Sequence, residues 1–96
     1  MRAILLLNWT DQGVRNVKES VNRAQQAREA FKPFNVTLDQ IYWTLGDHDI
    51  VSVVSAPDEE SLTAAVLKVT MSGSLRSKTM RAFDESEFKA ILGKLG

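Results

Sequence analysis

No cysteine occurs among the 96 residues, which excludes disulfides, thiolate metal sites and a cysteine nucleophile and fits a reducing cytosol. An excess of either charge is also missing. Twelve Lys and Arg balance twelve Asp and Glu, so no global field draws the chain to nucleic acid or to an anionic membrane. The longest apolar run, residues 3–7, falls far short of the roughly 20 residues that a transmembrane helix needs. It also lacks the small-residue cleavage region of a signal peptide. Nucleophile elbow, phosphate loop and dinucleotide fingerprint are absent, which argues against conventional hydrolase or kinase chemistry. No repeat, low-complexity tract or linker divides the chain. A single domain over residues 1–96 with a modest core is expected, in the cytoplasm and without a membrane partner.

What is present reads as strands and helices in alternation. Ala3-Ile4-Leu5-Leu6-Leu7 is apolar on both parities, which predicts a strand buried on both faces. Thr10 or Asp11 can cap a helix in which Val14, Val17, Val21, Ala24, Ala27 and Phe31 fall three or four apart. That spacing predicts one buried stripe, with Arg15, Lys18, Arg23 and Gln26 largely off it. Ser20 offers a second cap, so a small break near Glu19-Ser20 fits the pattern. Pro33 ends the helix, because it disfavours helical geometry in Lys32 and has no N–H to donate.

Residues 36–45 and 49–56 read as the second and third strands, meeting at a Gly46-Asp47-His48-Asp49 turn in the manner of a β-hairpin. Pro57-Asp58-Glu59-Glu60 starts another helix, with Asp58 as cap and the two glutamates at the positive end of the dipole. Leu62, Ala65, Val66 and Val69 form its buried stripe, and Gly73 is its C-terminal stop. Residues 75–83 make the fourth strand. Asp84-Glu85-Ser86-Glu87 then has the spacing of a capping box, ahead of a short last helix carrying Phe88, Ile91, Leu92 and Leu95.

This order, βαββαβ with a terminal helix, is the ferredoxin-like α+β pattern. Right-handed crossovers predict an antiparallel sheet in order 4-1-3-2 with both long helices on one face. Ile4 and Leu6 then face one way and Leu5 and Leu7 the other, with Ile50 and Val54 set against Val51 and Val53. Two helices cover one face only. A bare apolar face of roughly several hundred Å² is unusual on a soluble monomer. The last helix can hide part of it, but a second copy's sheet is the simpler cover. A homodimer or higher homo-oligomer through the open face is therefore expected, with the identity of that face left open between the Leu5 and Leu6 parities.

Four segments carry a resemblance. They are Thr10-Asp11-Gln12-Gly13 with Val17-Lys18, Tyr42-Trp43-Thr44-Leu45-Gly46-Asp47-His48-Asp49, Ala56-Pro57-Asp58-Glu59, and the run from Gly73 through Arg76 to Thr79 with Arg81-Ala82-Phe83. In order and spacing they resemble the GYD family, small proteins named for a Gly-Tyr-Asp motif at the hairpin turn. The resemblance covers nearly the whole chain. It implies a ferredoxin-like domain that pairs as a dimeric α+β barrel, two sheets face to face, and it implies no settled activity. His48 stands where the family usually has tyrosine, and Pro33-Phe34-Asn35 where a glycine-containing turn is expected.

The expected topology brings three motifs to one end of the sheet. Strands one and two end there, strands three and four begin there, and the first helix opens there with free N–H groups. The candidate ligand-binding residues on this rim are Trp9, Thr10, Asp47, His48, Asp49 and Arg76. Each also has a plainer reading. Asp47, His48 and Asp49 are metal-capable, but adjacent side chains diverge and Asp is an ordinary turn residue, so no metal or other cofactor is expected. His48 is the only catalytic candidate, as a general base, and a turn histidine needs no such role. Arg76 suits a carboxylate or phosphate, while a salt bridge to Asp47 or Asp49 accounts for it more simply. Trp9 and Trp43 wall a pocket or pack in a core or interface. Arg23 and Arg28 read as a solvated face.

RNA-recognition modules share this topology, but stack bases on aromatics of the central strands, and the third strand has none. No nucleic-acid partner is expected. Two functions stay open. One is a non-catalytic homo-oligomeric binding module for a small anionic molecule or a protein partner, favoured because the ionisable groups lie at the rim and the strand interiors are apolar. The other is a small cofactor-independent enzyme of the dimeric α+β barrel kind, a monooxygenase or isomerase working on an aromatic or quinone-like substrate. A cavity reaching His48 favours the enzyme, and a filled interior the module.

Overall fold

The first strand organises the sheet. In a computed structural model describing residues 1–96, β1 (Arg2–Trp9) is paired antiparallel on both edges. On one side Leu5 meets Ser52 and Leu7 meets Ile50 of β3 (Ile50–Ser55). On the other, Leu5 meets Thr79 and Trp9 meets Leu75 of β4 (Leu75–Ala82). The hairpin partner β2 (Thr37–Trp43) adds outside β3, completing a four-stranded antiparallel sheet in the order β2-β3-β1-β4.

Burial follows the two-residue period of the strands. Ala3, Leu5 and Leu7 are buried, as are their β3 neighbours Ile50, Ser52 and Val54. Over this face pack α2 (Ser20–Phe31), through Ala24 and Phe31, and α3 (Glu59–Thr70), through Leu62 and Ala65. The opposite parity, Ile4 and Leu6 with Val51 and Val53, is only partly buried. Leu6 rather than Leu5 therefore belongs to the open face. The whole fold is 18 Å thin and 52 Å long, about one helix layer on one sheet.

β2 keeps its apolar residues on the helix side by a local irregularity. Leu38 sits opposite Val54 and Gln40 opposite Val53, leaving Asp39 as the extra residue of a β-bulge. The insertion resets the parity, so that both Leu38 and Ile41 pack against the core. Asp39 takes a hydrogen bond from the Ser55 hydroxyl across the strand pair. Both hairpin strands are shorter than the sequence suggests, because Thr44 belongs to the turn. Its N–H reaches the Asp49 carbonyl at 2.8 Å, and its hydroxyl donates to the His48 carbonyl. Gly46, at φ 105°, supplies the left-handed residue of that turn.

The first helical segment breaks just before Ser20, as its second cap suggested, but its buried stripe departs from expectation. Thr10 caps α1 (Asp11–Arg15), but the helix ends at Asn16 and a 3₁₀ turn, Val17–Glu19, intervenes before α2. A 3₁₀ turn advances about 120° per residue against about 100° for an α-helix, so the stripe loses its phase. Val14, Val17 and Val21 are 55%, 42% and 68% exposed, and only the stripe's later part, from Ala24 to Phe31, faces the sheet. After Pro33, Asn35 takes the left-handed conformation (φ 57°) that closes a second 3₁₀ turn. Asparagine tolerates this region better than other non-glycine residues, which accounts for a turn without glycine here.

The remaining helix ends follow local chemistry. Asp58 accepts from the Ser61 N–H at 2.7 Å, and Gly73 takes φ 89° after α3. Asp84 and Glu87 form a reciprocal capping box at the start of α4 (Glu85–Gly93). Arg2 lies 3.8 Å from both Asp84 and Glu87, tying that start to β1. Beyond it α4 buries no residue, and Phe88, Ile91, Leu92 and Leu95 are all exposed. No helix is long and apolar enough to cross a membrane.

Candidate functional site

Asn8, at the end of β1, is the centre of the rim. Its side-chain N–H donates to the Asp47 carbonyl at 2.8 Å, which leaves its amide oxygen facing His48 Nδ1 at 3.0 Å. In the neutral imidazole this bond puts the proton on Nδ1 and the lone pair on Nε2. Asp49 is engaged in the backbone: its carboxylate accepts from the Trp9 N–H at 2.9 Å, and its own N–H reaches the Leu7 carbonyl at 2.9 Å. Thr10 is likewise committed, accepting from Gly13 N–H and donating to the Gly73 carbonyl. Arg76 lies opposite Asn8 in the β1–β4 register. It forms no ion pair with Asp47 or Asp49.

The sheet divides the six expected residues. Asp47 and His48 gather around Asn8, with Arg76 across the strand pair at the open-face parity. Trp9 has the parity of Leu5 and Leu7 and packs against the core on the helix side, where Thr10 starts α1. All six share one end of the sheet, but they do not surround one space.

A cavity of about 350 Å³ lies elsewhere, between the helices and the sheet. Its floor is Leu5, Leu7, Ile41, Ile50 and Ser52, and its walls include Ala24, Ala27 and Phe31 of α2 and Val66 and Val69 of α3. The space has a definite origin. α2 presents alanines to it, and the three valines expected to fill the layer, Val14 before the Asn16 break and Val17 and Val21 after it, are exposed. The interior is thus neither filled nor open to His48, which is not among the lining residues.

Gln12, Asn16, Ser20, Gln26, Thr70 and Ser72 add uncharged polar groups to this cavity, although most of its exposed lining is apolar. Ser52, 2% exposed, is the one polar side chain that the two central strands add to the buried core. Arg23 lines it, half-buried, with Nη1 donating to the hydroxyl of buried Ser74. No acid pairs with this guanidinium. The only other charged lining residue is Lys68, and no Asp, Glu or His is present. The site is therefore apolar with positive charge. Ser74 is held in turn by the close passage of α1: its carbonyl accepts from the Thr10 N–H at 3.1 Å, and a Cβ on Gly13 would lie 2.1 Å from that carbonyl oxygen.

Sequence reasoning placed Arg23 on a solvated face and gave no role to Asn8 or Ser52. One signal was available for the cavity: Ala24, Ala27 and Ala30 recur on the α2 face opposite leucine-rich β1, a pairing that under-fills the layer.

Comparison with known proteins covers almost the entire chain. The "Glutamine synthetase and cystathionine beta-lyase binding protein" of Thermus thermophilus is 29% identical over 90 residues, spanning 93% of this chain and 95% of that protein. The crystal structure of TTHA0845, also from Thermus thermophilus, matches with a TM-score of 0.54 at 25% identity, covering 86% of this chain and 92% of the other. The GYD domain model matches residues 4–92, the span that holds the sheet, the rim and the cavity together, and the chain belongs to the GYD domain family.

Proposed function

We propose that this chain is a non-catalytic binding module that assembles through its open sheet face and holds a protein partner. In this reading the ferredoxin-like sheet pairs with that of a second copy as a dimeric α+β barrel. The observation that carries it is the uncovered apolar surface. Ile4 is flanked across the strands by Val53 and Met80, and Leu6 by Val51, which itself faces Tyr42. Met80 and Tyr42 are exposed, and α4 adds a further exposed apolar row. Such a surface is characteristic of an interaction site. A relative named for binding two enzymes supports a protein as the further partner. Arg76, which pairs with no carboxylate at the rim of this face, suits an acidic side chain of that partner or a small anion.

The alternative, a cofactor-independent enzyme, has the cavity between helices and sheet in its favour. Its lining weighs against it, because it contains no carboxylate or imidazole to move a proton and His48 lies outside it.

Sedimentation velocity at micromolar concentration tests the reading. A dimer or larger assembly is expected, and Leu6→Asp, which puts a charge at the centre of the face, should give a folded monomer by circular dichroism. Wild-type chain sedimenting only as a monomer overturns the assembly. Mixtures with purified glutamine synthetase or cystathionine β-lyase from the same organism extend the test, and failure to co-sediment with either removes those enzymes as partners.

A further inference from the structure

The cavity lies on the other side of the sheet from the proposed assembly face, so what it holds is a separate question from what the module docks on. Its volume is within the roughly 300–1,000 Å³ of small-molecule sites. At about 30 Å³ per water-sized group it accommodates on the order of a dozen non-hydrogen atoms. Leu5, Leu7 and Phe31 make its interior apolar, so an occupant must be largely hydrocarbon. Only Arg23 and Lys68 among its charged residues line it, so the occupant's polar end must be negative.

Arg23 is the group that selects that end. A guanidinium carries five N–H donors, yet the side chain has only the Ser74 hydroxyl as a partner and no acid beside it. Removing such a charge partly from water without a counter-charge is unfavourable, and a carboxylate would correct it with two parallel hydrogen bonds. Ser20, on the same turn of α2, also lines the cavity. A guanidinium with no competing acid in the lining matches a singly charged, two-oxygen head group.

We propose that the cavity between α2, α3 and the sheet binds an amphipathic monocarboxylate, its hydrocarbon body between the alanine face of α2 and Leu5, Leu7 and Ile50, and its carboxylate on Arg23. Trp9 lines the same cavity and supplies a fluorescence reporter. Lys68 is the second cation of the lining, which contains no acid.

Decanoate below its micellar concentration is the probe, followed by calorimetry and by tryptophan emission on the intact chain. Saturable binding of one decanoate per protomer is expected, with 1-decanol and decylamine weaker by on the order of tenfold or more. Arg23→Gln should lose that preference for the acid over the alcohol while keeping the circular dichroism spectrum. Ala27→Phe, which places an aromatic ring in the cavity, should block acid and alcohol alike. If Ala27→Phe does not fold, the Arg23→Gln comparison alone decides. The proposal is overturned if decanoate shows no saturable binding, or if Arg23→Gln leaves the acid-over-alcohol preference unchanged. Binding that disappears in Leu6→Asp would also overturn it, by assigning the probe to the open face. Decanoate binding retained in a monomeric Leu6→Asp supports it independently of the assembly.

Discussion

Gly13→Ala probes the close passage of α1 over Ser74. Gly13 is the third residue of α1, where an alanine would ordinarily stabilise a helix by about 0.8–1 kcal/mol. Here its Cβ would lie 2.1 Å from the Ser74 carbonyl oxygen, 3.1 Å from the Ser74 carbonyl carbon and 3.2 Å from Trp9 Cδ1. The nearest two atoms are backbone and cannot swing aside, so α1 and the β4 entrance must separate. Overpacking of this kind costs about 1–3 kcal/mol, and the severity of the overlap argues for the upper part. Separation also strains the bonds from Thr10 N–H to Ser74 and from the Thr10 hydroxyl to Gly73, at about 0.5–1.5 kcal/mol each. After subtracting the helix-propensity gain, a net loss of about 2–4 kcal/mol is expected. For a domain of this size that is a fall in Tm of roughly 10–30 °C.

Gly93→Ala is the matched control. Gly93 lies in α4 with no atom within 4 Å of a built Cβ, so propensity acts alone and the change should be neutral or stabilising by up to about 1 kcal/mol. Urea unfolding of both variants at one fixed protein concentration gives the comparison, because assembly makes apparent stability concentration-dependent. If Gly13→Ala is as stable as wild type, the close passage of α1 over Ser74 is not part of the folded protein, and the account of how Ser74 reaches Arg23 fails with it.

Two further outcomes follow from single residues. Asn35→Gly should be neutral or slightly stabilising, since Asn35 already occupies the left-handed region, whereas Asn35→Val should cost roughly 1–2 kcal/mol in urea unfolding. Equal stability of the two variants would refute a left-handed residue there. Asp58 is held below its ordinary pKa of 3.8 by the hydrogen bond from the Ser61 backbone N–H, with the Ser61 side chain adding to it. A depressed carboxylate stabilises the fold above its unfolded pKa, and that contribution is lost as pH falls through the lower folded value. NMR titration of the Asp58 carboxyl should therefore give a midpoint below 3.8, and Ser61→Pro, which deletes the N–H donor, should move it upward. A midpoint at or above the ordinary value would remove the cap.

Much of the fold is written in short-range chemistry. Asp58 and the Asp84–Glu87 pair cap helices through bonds to residues three positions away, Pro33 stops one by its own ring, and Gly46 and Gly73 turn the chain by their own φ. The apolar run of β1 marks the central strand for the same reason, since a strand's burial demand shows in its own residues. The convergence of three motifs on one sheet end is also legible, because strand order and direction decide it without reference to side-chain detail. His48 and Arg76 are on that rim. Their neighbour Asn8, which holds His48, gave no pattern to read, because an asparagine at a strand end is ordinary until its partner is in place.

The choices left to tertiary structure are those in which two local readings have similar energies. Leu5 and Leu6 are equally apolar, so only the packing of α2 and α3 decides that Leu5 is buried and Leu6 belongs to the open face. The valines of the first helix satisfy a continuous stripe, yet the chain breaks at Asn16, where α1 approaches the β4 entrance closely enough to need Gly13. In the folded chain Val14, Val17 and Val21 are exposed, and the alanines of α2 lie over the sheet. The approach of α1 brings Ser74 to Arg23 and makes a residue on an apparently solvated face part of a cavity wall. Capping and turn signals act within a few residues and survive in any context, so sequence alone determined the elements and their order. Cavities and exposed faces are set by which distant surfaces meet, so the open side of the sheet and the Arg23 pocket were decided only when the helices packed.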